Sequence, residues 1–170
     1  MSKDRWNLRP ARTPDVEEIQ KLVLPFVDSR ILLGKDKVSF YEDIQEFSVV
    51  EADSNRIVAC GALHVIWRDI GEIRTLAVAE DYLGRGIGSA LVSDLEERAK
   101  ILGLQTLFCL TFQVPFFQKN GFGLQQDSLL APEVMAELAR SPDEGVAEFL
   151  DLERVRPNTL GNSRLVKKLN

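Results

Sequence analysis

Gly84, Gly86 and Gly88 stand at alternate positions between an apolar run and an amphipathic one, in EIRTLAVAEDYLGRGIGS from Glu72 to Ser89. Residues of this type at this spacing bind anions. Glycine reaches positive φ and carries no Cβ, so the amides around Gly84, Arg85, Gly86, Ile87, Gly88 and Ser89 can converge on one ligand at close range. A helix is expected to follow from about Gly86 to Leu102. Ile87, Ala90, Leu91, Leu95, Ala99 and Leu102 fall on one of its faces, and Gly103 suits the C′ position. The unpaired first-turn N–H groups and the positive end of the helix dipole aim at the same anion. The pattern implies a ligand that carries phosphate.

What the loop lacks narrows the ligand. A dinucleotide fingerprint needs G-x-G-x-x-G, but counting from Gly84 the third place holds Ser89, and from Gly86 it holds Leu91. The acidic residue that holds a ribose in such folds is missing too, the corresponding strand reading LFCLTF. The phosphate loop of nucleotide triphosphatases needs Lys and then Ser or Thr after its last glycine, whereas Gly88 is followed by Ser89 and Ala90. Arg85 is the only cation in the loop.

The surrounding elements must position this loop. Trp6 to Arg9 is expected to be a first strand. Thr13 is a plausible N-cap, with Pro14 at N1 and Asp15 and Glu17 in the first turn of a helix that buries Val16, Ile19, Val23 and Phe26, until Pro25 bends or ends it. A linker at Gly34 to Lys37 and a short helix around Phe40 to Ile44 come next. FSVVEADSNRIVACGALHVIW reads as two strands around a turn at Asp53 to Arg56. Strand four is predicted from about Glu72 to Val78 and strand five from about Thr106 to Thr111, a right-handed βαβ unit around the glycine-loop helix. Pro132 to Arg140 is a helix candidate, while AEFLDL and SRLVKKL are strand candidates. The result is an α/β fold with a mixed central sheet.

Composition bounds the function. A chain of 170 residues, 45% hydrophobic, can build one well-cored domain. A net charge of −5 and a pI near 5.0 leave no basic footprint for nucleic acid. The N-terminus MSKDRWNLRP has no apolar run, and no segment has the eighteen or so apolar residues of a membrane span, so a cytoplasmic protein is expected. Cys60 and Cys109 lie in predicted strands without metal-ligand spacing and read as reduced core residues. With a single His there is no metal cluster to propose, and His64 reads as a half-buried, satisfied residue. Trp6 and Trp67 read as core or interface packing.

The order strand, x-x-G-x-G, helix resembles the acyl-CoA pyrophosphate loop of the GNAT acetyltransferase superfamily. There the pattern usually opens with Gln or Arg, a place held here by Leu83. About thirty residues downstream, PFFQKNGF from Pro115 to Phe122 is similar to the superfamily's second signature, a short helix ending at Gly121 and Phe122 and leading into a strand. The resemblance implies a single N-acetyltransferase domain over residues 1–170, parallel strands four and five splayed apart, and acetyl-CoA as acyl donor. It further implies that backbone groups at Leu76, Ala77 and Val78 pair with the pantetheine arm instead of with strand five. Phe117 stands where many relatives carry Tyr, so no phenol is available there as general acid.

Acetyl transfer to an amine needs the amine neutral. An α-amino group has a pKa of about 8, so only about a tenth is neutral at pH 7, and a general base recovers the rest. By resemblance Glu72, opening the strand that leads to the glycine loop, is that base. Thr111, at the end of strand five, is a candidate proton relay, and the thiolate can also leave as an anion because thiol pKa values lie near 8.5. ILLGKDKVSFYEDIQEFSVVE, CGALHV, GEIRTLAV and LGNSRLVKKL together resemble the acetyltransferase domain of the N-acetylglutamate synthase family, over most of residues 30–170. That family acetylates glutamate at the head of arginine biosynthesis. The resemblance therefore implies a pocket for a small amino acid, with Lys35, Arg74 and Arg164 as cations and Asn162 and Ser163 as neutral donors. One substrate-binding arginine near the C-terminus is replaced by Gly161, which leaves open a carboxylate or an amide as the side chain recognised. Many relatives carry an N-terminal amino-acid-kinase-like domain, and catalysis without that regulatory module is expected. A homodimer through the strand ending at Leu169 is a further expectation. The alternatives are a GNAT enzyme for another amine, such as a protein N-terminus, a lysine or a polyamine, and a non-catalytic acyl-CoA-binding module.

Overall fold

The computed structural model describes residues 5–152 and 161–170; the start of the polar N-terminus and Leu160 of LGNSRLVKKL lie outside the described residues. β1 (Trp6–Pro10), β2 (Phe47–Ala52), β3 (Ile57–Trp67) and β4 (Ile70–Val78) pair antiparallel in chain order. The β2–β3 turn falls where predicted, with Asn55 at φ 58. β4 starts earlier than expected because Trp67 pairs with Ile70 around a tight turn at Arg68 and Asp69. α3 (Ile87–Ile101) carries the chain to β5 (Thr106–Thr111), parallel to β4. β7 (Ser163–Lys168) then lies between β5 and the short β6 (Gly123–Leu124), antiparallel to both, giving the order β1-β2-β3-β4-β5-β7-β6. The strand ending before Leu169 is thus flanked on both sides within its own sheet.

Alternation along the strands sends side chains to two covered faces. On one face α1 (Val16–Asp28) buries Val16, Ile19 and Val23 against Val49, Cys60, Ala62 and Ala77, together with Phe40 of α2 (Lys37–Glu42). On the other, α3 buries Val92, Leu95 and Ala99 against Leu63, Ile73, Leu107 and Cys109. Phe117 of α4 (Val114–Lys119) and Phe122 extend that second core. Full burial of each such side chain stabilises by roughly 1.5–3 kcal/mol. Past α5 (Pro132–Leu138), α6 (Glu144–Phe149) returns to the α1 face and packs Val146 and Phe149 on Ile66, Ile70 and Phe108.

Several local expectations are corrected. AEFLDL is not a strand: its first three residues end α6 and the rest leave it through a turn, while the Asp143 side chain accepts from the Val146 N–H at 2.8 Å and caps the helix. Thr13 lies within a single 3-10 turn, and Asp15 instead accepts from the Arg12 N–H at 2.7 Å. Pro25 does not end α1, which runs on to Asp28. Leu102 is the C-cap of α3 and 60% exposed, and Ala90 is only half-buried, so neither shares the apolar face fully. Gly103 does take the C′ place, at φ 86. Cys60 and Cys109 are free and buried; burial pushes the Cys60 thiol up to about 12 and raises that of Cys109, so both stay protonated at neutral pH.

Candidate active site

A cleft of about 1170 Å³ runs from the glycine loop along β4 into the gap between β4 and β5. The gap has a local cause. β4 pairs with β5 only from Ile70 to Glu72, opposite Thr106 to Phe108. Beyond Glu72 the β3–β4 register breaks, Cys60 pairing with Ala77 but Ala62 with Arg74, so β4 carries one extra residue. Thr75 sits in that bulge at φ 55, a conformation that costs a β-branched residue of the order of 1–3 kcal/mol and concentrates at functional sites. The bulge turns β4 away from β5, and Leu76, Ala77 and Val78 line the cleft without a β5 partner. Thr111 and Phe117 line it from the other side.

Gly84 and Gly86 take φ of 74 and 77, and the space where a Cβ would stand is open at both. Gly86 is the N-cap of α3, so the N–H groups of Ile87, Gly88 and Ser89 have no acceptor within their own helix. Gly88 differs from expectation in not taking positive φ: it lies within the helix, and its missing Cβ makes room for the Phe116 ring, 3.0 Å from where that atom would stand. Arg85 donates to the Asp81 carbonyl at 2.9 Å and stacks on Tyr82 with its guanidinium 4.5 Å from the ring centre. The donors, the open glycines and the bare strand edge suit a diphosphate joined to an amide-bearing arm.

At the base of the gap, Glu72 is not a solvated strand-end charge. It is 3% exposed, and one of its oxygens accepts from Arg74 Nε at 3.0 Å and Nη2 at 2.7 Å. Arg74 Nη1 reaches across to Asp143 at 2.9 and 3.1 Å. Burial opposes the charge on Arg74, but Glu72 and Asp143 outweigh it and hold the guanidinium firmly protonated. Burial likewise works against ionised Asp143, yet Arg74 and the Val146 N–H hold its carboxyl below the usual range. All three nitrogens of Arg74 are therefore committed within the protein.

The C-terminal donors join this cluster. Asn162 donates to Glu148 at 2.9 Å, Arg164 donates to the Glu148 main-chain carbonyl at 3.3 Å, and Ser163 pairs with Thr111 across β7 and β5. Thr111 Oγ accepts from the Gln113 N–H at 2.8 Å, the role of a hydroxyl closing a strand end. Lys35 pairs with Asp43 at 3.3 Å, and His64 meets Glu46 at 2.7 Å. Asp143 and Glu148 were not singled out from the sequence. The signal for the first was an Asp followed by Glu at a helix start, after Ser141 and Pro142. Among the described residues, no group of His, Cys, Asp and Glu is arranged to hold a metal, and no helix is long and apolar enough to cross a membrane.

A sheet that splays after a bulge, above a glycine loop capping the next helix, defines an acetyltransferase, and residues 14–122 match the acetyltransferase (GNAT) family. The chain belongs to that family, whose acyl donor is acetyl-CoA. It is 48% identical over 161 residues to an amino-acid acetyltransferase of Mycobacterium tuberculosis, covering 94% of this chain and 92% of that one. A crystal structure of a Mycobacterium tuberculosis protein in complex with CoA and NLQ superposes with a TM-score of 0.91 at 48% identity, over 96% of this chain and 99% of that one. N-acetylglutamate synthase from Neisseria gonorrhoeae, solved with coenzyme A and N-acetyl-glutamate, superposes at 0.77 with 24% identity, and shares the fold. That alignment covers 99% of this chain but 36% of the neisserial protein. Further relatives named amino-acid acetyltransferase are also longer, the chain spanning 27% of each.

Proposed function

We propose that the protein acetylates the α-amino group of glutamate or glutamine, the first step of arginine biosynthesis, by direct attack of the amine on the acetyl-CoA thioester. The observation that carries this reading is the placement of Glu72. It stands on the last β4 residue paired with β5, where the splay opens, held by Arg74 on the face away from α3. A carboxylate fixed there can take the proton of an amine entering from the α1 and α6 side while the thioester lies in the gap. The names of the relatives support an amino acid as acceptor.

Acetyl-CoA supplies an acyl carbon already activated as a thioester. The amides of Gly84 to Ser89 hold its diphosphate, Leu76, Ala77 and Val78 offer backbone groups to the pantetheine arm, and Phe117 packs beside it. Since Arg74 is committed to two carboxylates, its role is to fix Glu72. Recognition of the substrate's carboxylate then falls to Ser163, Arg164 and Lys35, with Asn162 as a neutral donor. Thr111 remains a candidate relay to the departing thiolate. The working enzyme is placed in the cytoplasm, with a homodimer as a proposed assembly.

A thiol-release assay tests this reading. With acetyl-CoA, glutamate or glutamine is expected to outpace spermidine, lysine and an N-terminal peptide, and Glu72→Gln to slow turnover by roughly a hundredfold or more. Release with spermidine alone would move the assignment to a polyamine enzyme, and binding of acetyl-CoA without release would leave an acyl-CoA-binding module.

A further inference from the structure

A base must lose the proton it takes, and Glu72 is badly placed to do so alone. Its side chain is 4% exposed, and both bonds from Arg74 land on Oε2, which leaves Oε1 to take the proton. Asp143 is no outlet: against its burial, Arg74 and the Val146 N–H hold its carboxyl below the usual range. Nor is Glu148, whose carboxyl is pushed up to about 7 by burial first and the charge of Glu72 second, so below that pH it already carries a proton. Across the β3–β4 ladder stands His64. Its Cα is the register partner of that of Glu72, and antiparallel partners put their side chains on one face with Cβ atoms about 4.5–5.5 Å apart. Ala62 and Ile66, two positions to either side of His64, pack on that face with α1 and α6. The ring is fixed from the β2 side, Nδ1 lying 2.7 Å from Glu46 Oε1. Glu46 is itself anchored in the turn before β2, where Arg98 donates to the Gln45 and Glu46 carbonyls at 2.7 and 3.1 Å. The other Glu46 carboxylate oxygen is buried with no donor among the described residues, so the imidazole carries that side chain's hydrogen bonding. An ionised carboxylate only accepts, hence Nδ1 donates and Nε2 keeps its lone pair. The His64 side chain is 18% exposed and reaches solvent where Glu72 does not.

We propose that His64, oriented by Glu46, is the outlet through which Glu72 sheds the acceptor's proton to solvent, a positioning residue that acts through the base. The proposal rests on the reading of Glu72 as base. An N–H bond of the acceptor ammonium breaks, its electron pair stays on nitrogen for attack, and an O–H bond forms at Glu72. That O–H bond then breaks as an N–H bond forms at His64 Nε2, and the imidazolium returns the proton to water. The second transfer is favourable, since an ordinary imidazole holds a proton more firmly than an ordinary carboxylate. The charged groups around the ring are Glu46 from the turn before β2, Glu72 and Arg74 from β4, Asp143 from α6, and Lys35 with its partner Asp43 flanking α2. Arg74 and Lys35 are each already paired with carboxylates, so neither opposes an imidazolium with an unscreened charge.

The sequence holds one histidine, so its ring signals need no assignment. Imidazole proton and nitrogen-15 NMR on the full chain is expected to show the Nδ1–H form. Its titration midpoint is expected to move down in Glu46→Gln and in Glu72→Gln, each of which takes a negative charge from beside the ring. In kinetics, His64→Gln is expected to lower kcat by roughly ten- to a hundredfold, to leave KM for acetyl-CoA in place, and to recover turnover as free imidazole is added. A midpoint indifferent to Glu72→Gln overturns the outlet, as does full turnover in His64→Gln or a loss that free imidazole does not relieve. Full turnover in Glu72→Gln, with the ring still responding to that substitution, overturns the base assignment instead.

Discussion

Every nitrogen of the Arg74 side chain is committed to a carboxylate of the protein itself. The side chain is 6% exposed, and its nitrogens close on carboxylates from two elements, Glu72 on its own strand and Asp143 69 positions further along the sequence. A lysine offers one point charge where this geometry uses a planar fork, so Arg74→Lys is not a conservative change. Arg74→Met removes the shared partner and leaves Glu72 and Asp143 buried without a counter-charge. The expected loss is roughly 3–5 kcal/mol of unfolding free energy, read from the urea midpoint, together with loss of turnover. If the midpoint stays within the range of a surface substitution, the ion-pair network is not what holds α6 on the sheet.

At the scale of elements, two glycines separate the two halves of the site. Gly86 works through its φ of 77, whereas Gly145 works through the absence of a side chain against Arg74. Gly86→Ala puts a side chain in the left-handed region, at about 1–2 kcal/mol, and tilts the first-turn amides of α3. It is expected to raise KM for acetyl-CoA and leave KM for the amino acid nearly unchanged. Gly145→Ala must push α6 off Arg74, because the new atom meets the guanidinium itself, and is expected to act on the amino-acid KM and on kcat. Steady-state kinetics with each substrate varied in turn checks both, and a swapped pattern would dissociate the glycine loop from the cofactor.

The same contrast explains what was legible in the sequence. The glycine loop could be read because positive φ leaves few residue choices, α3 because Ile87, Leu91, Leu95 and Ala99 recur at helical spacing, and β5 because an apolar run of strand length follows the stop at Gly103. AEFLDL misled because a short apolar run has no decisive period, and its helix is set by the Asp143 cap and by Phe149 docking on Phe108. Glu72 was singled out by resemblance, from its place on the strand before the loop. Its partner Asp143 was not, since only the tertiary docking of α6 brings the two to one guanidinium. The bulge at Thr75 was equally hidden, because nothing in TLAV distinguishes a kinked strand from a straight one.

Across the whole molecule the sheet divides the work: the α3 face holds the glycine loop, and the α1 and α6 face holds the charge cluster. That cluster makes stability depend on pH in a direction opposite to ordinary acid denaturation. The Glu148 carboxyl sits at about 7 in the folded chain against 4.5 for an unperturbed one. Below about 4.5 it is protonated in both states and weighs nothing. As pH rises from there to about 7, the unfolded chain loses its proton while the folded chain keeps it, so this residue's contribution to stability falls throughout that window and then levels off. Glu148→Gln has no proton to lose. Its Tm relative to the parent chain is therefore expected to climb by a few degrees between pH 4.5 and 7 and stay flat above. A Tm difference that is constant with pH would mean that the carboxyl ionises alike in both states, and that the folded cluster carries its full negative charge at neutrality.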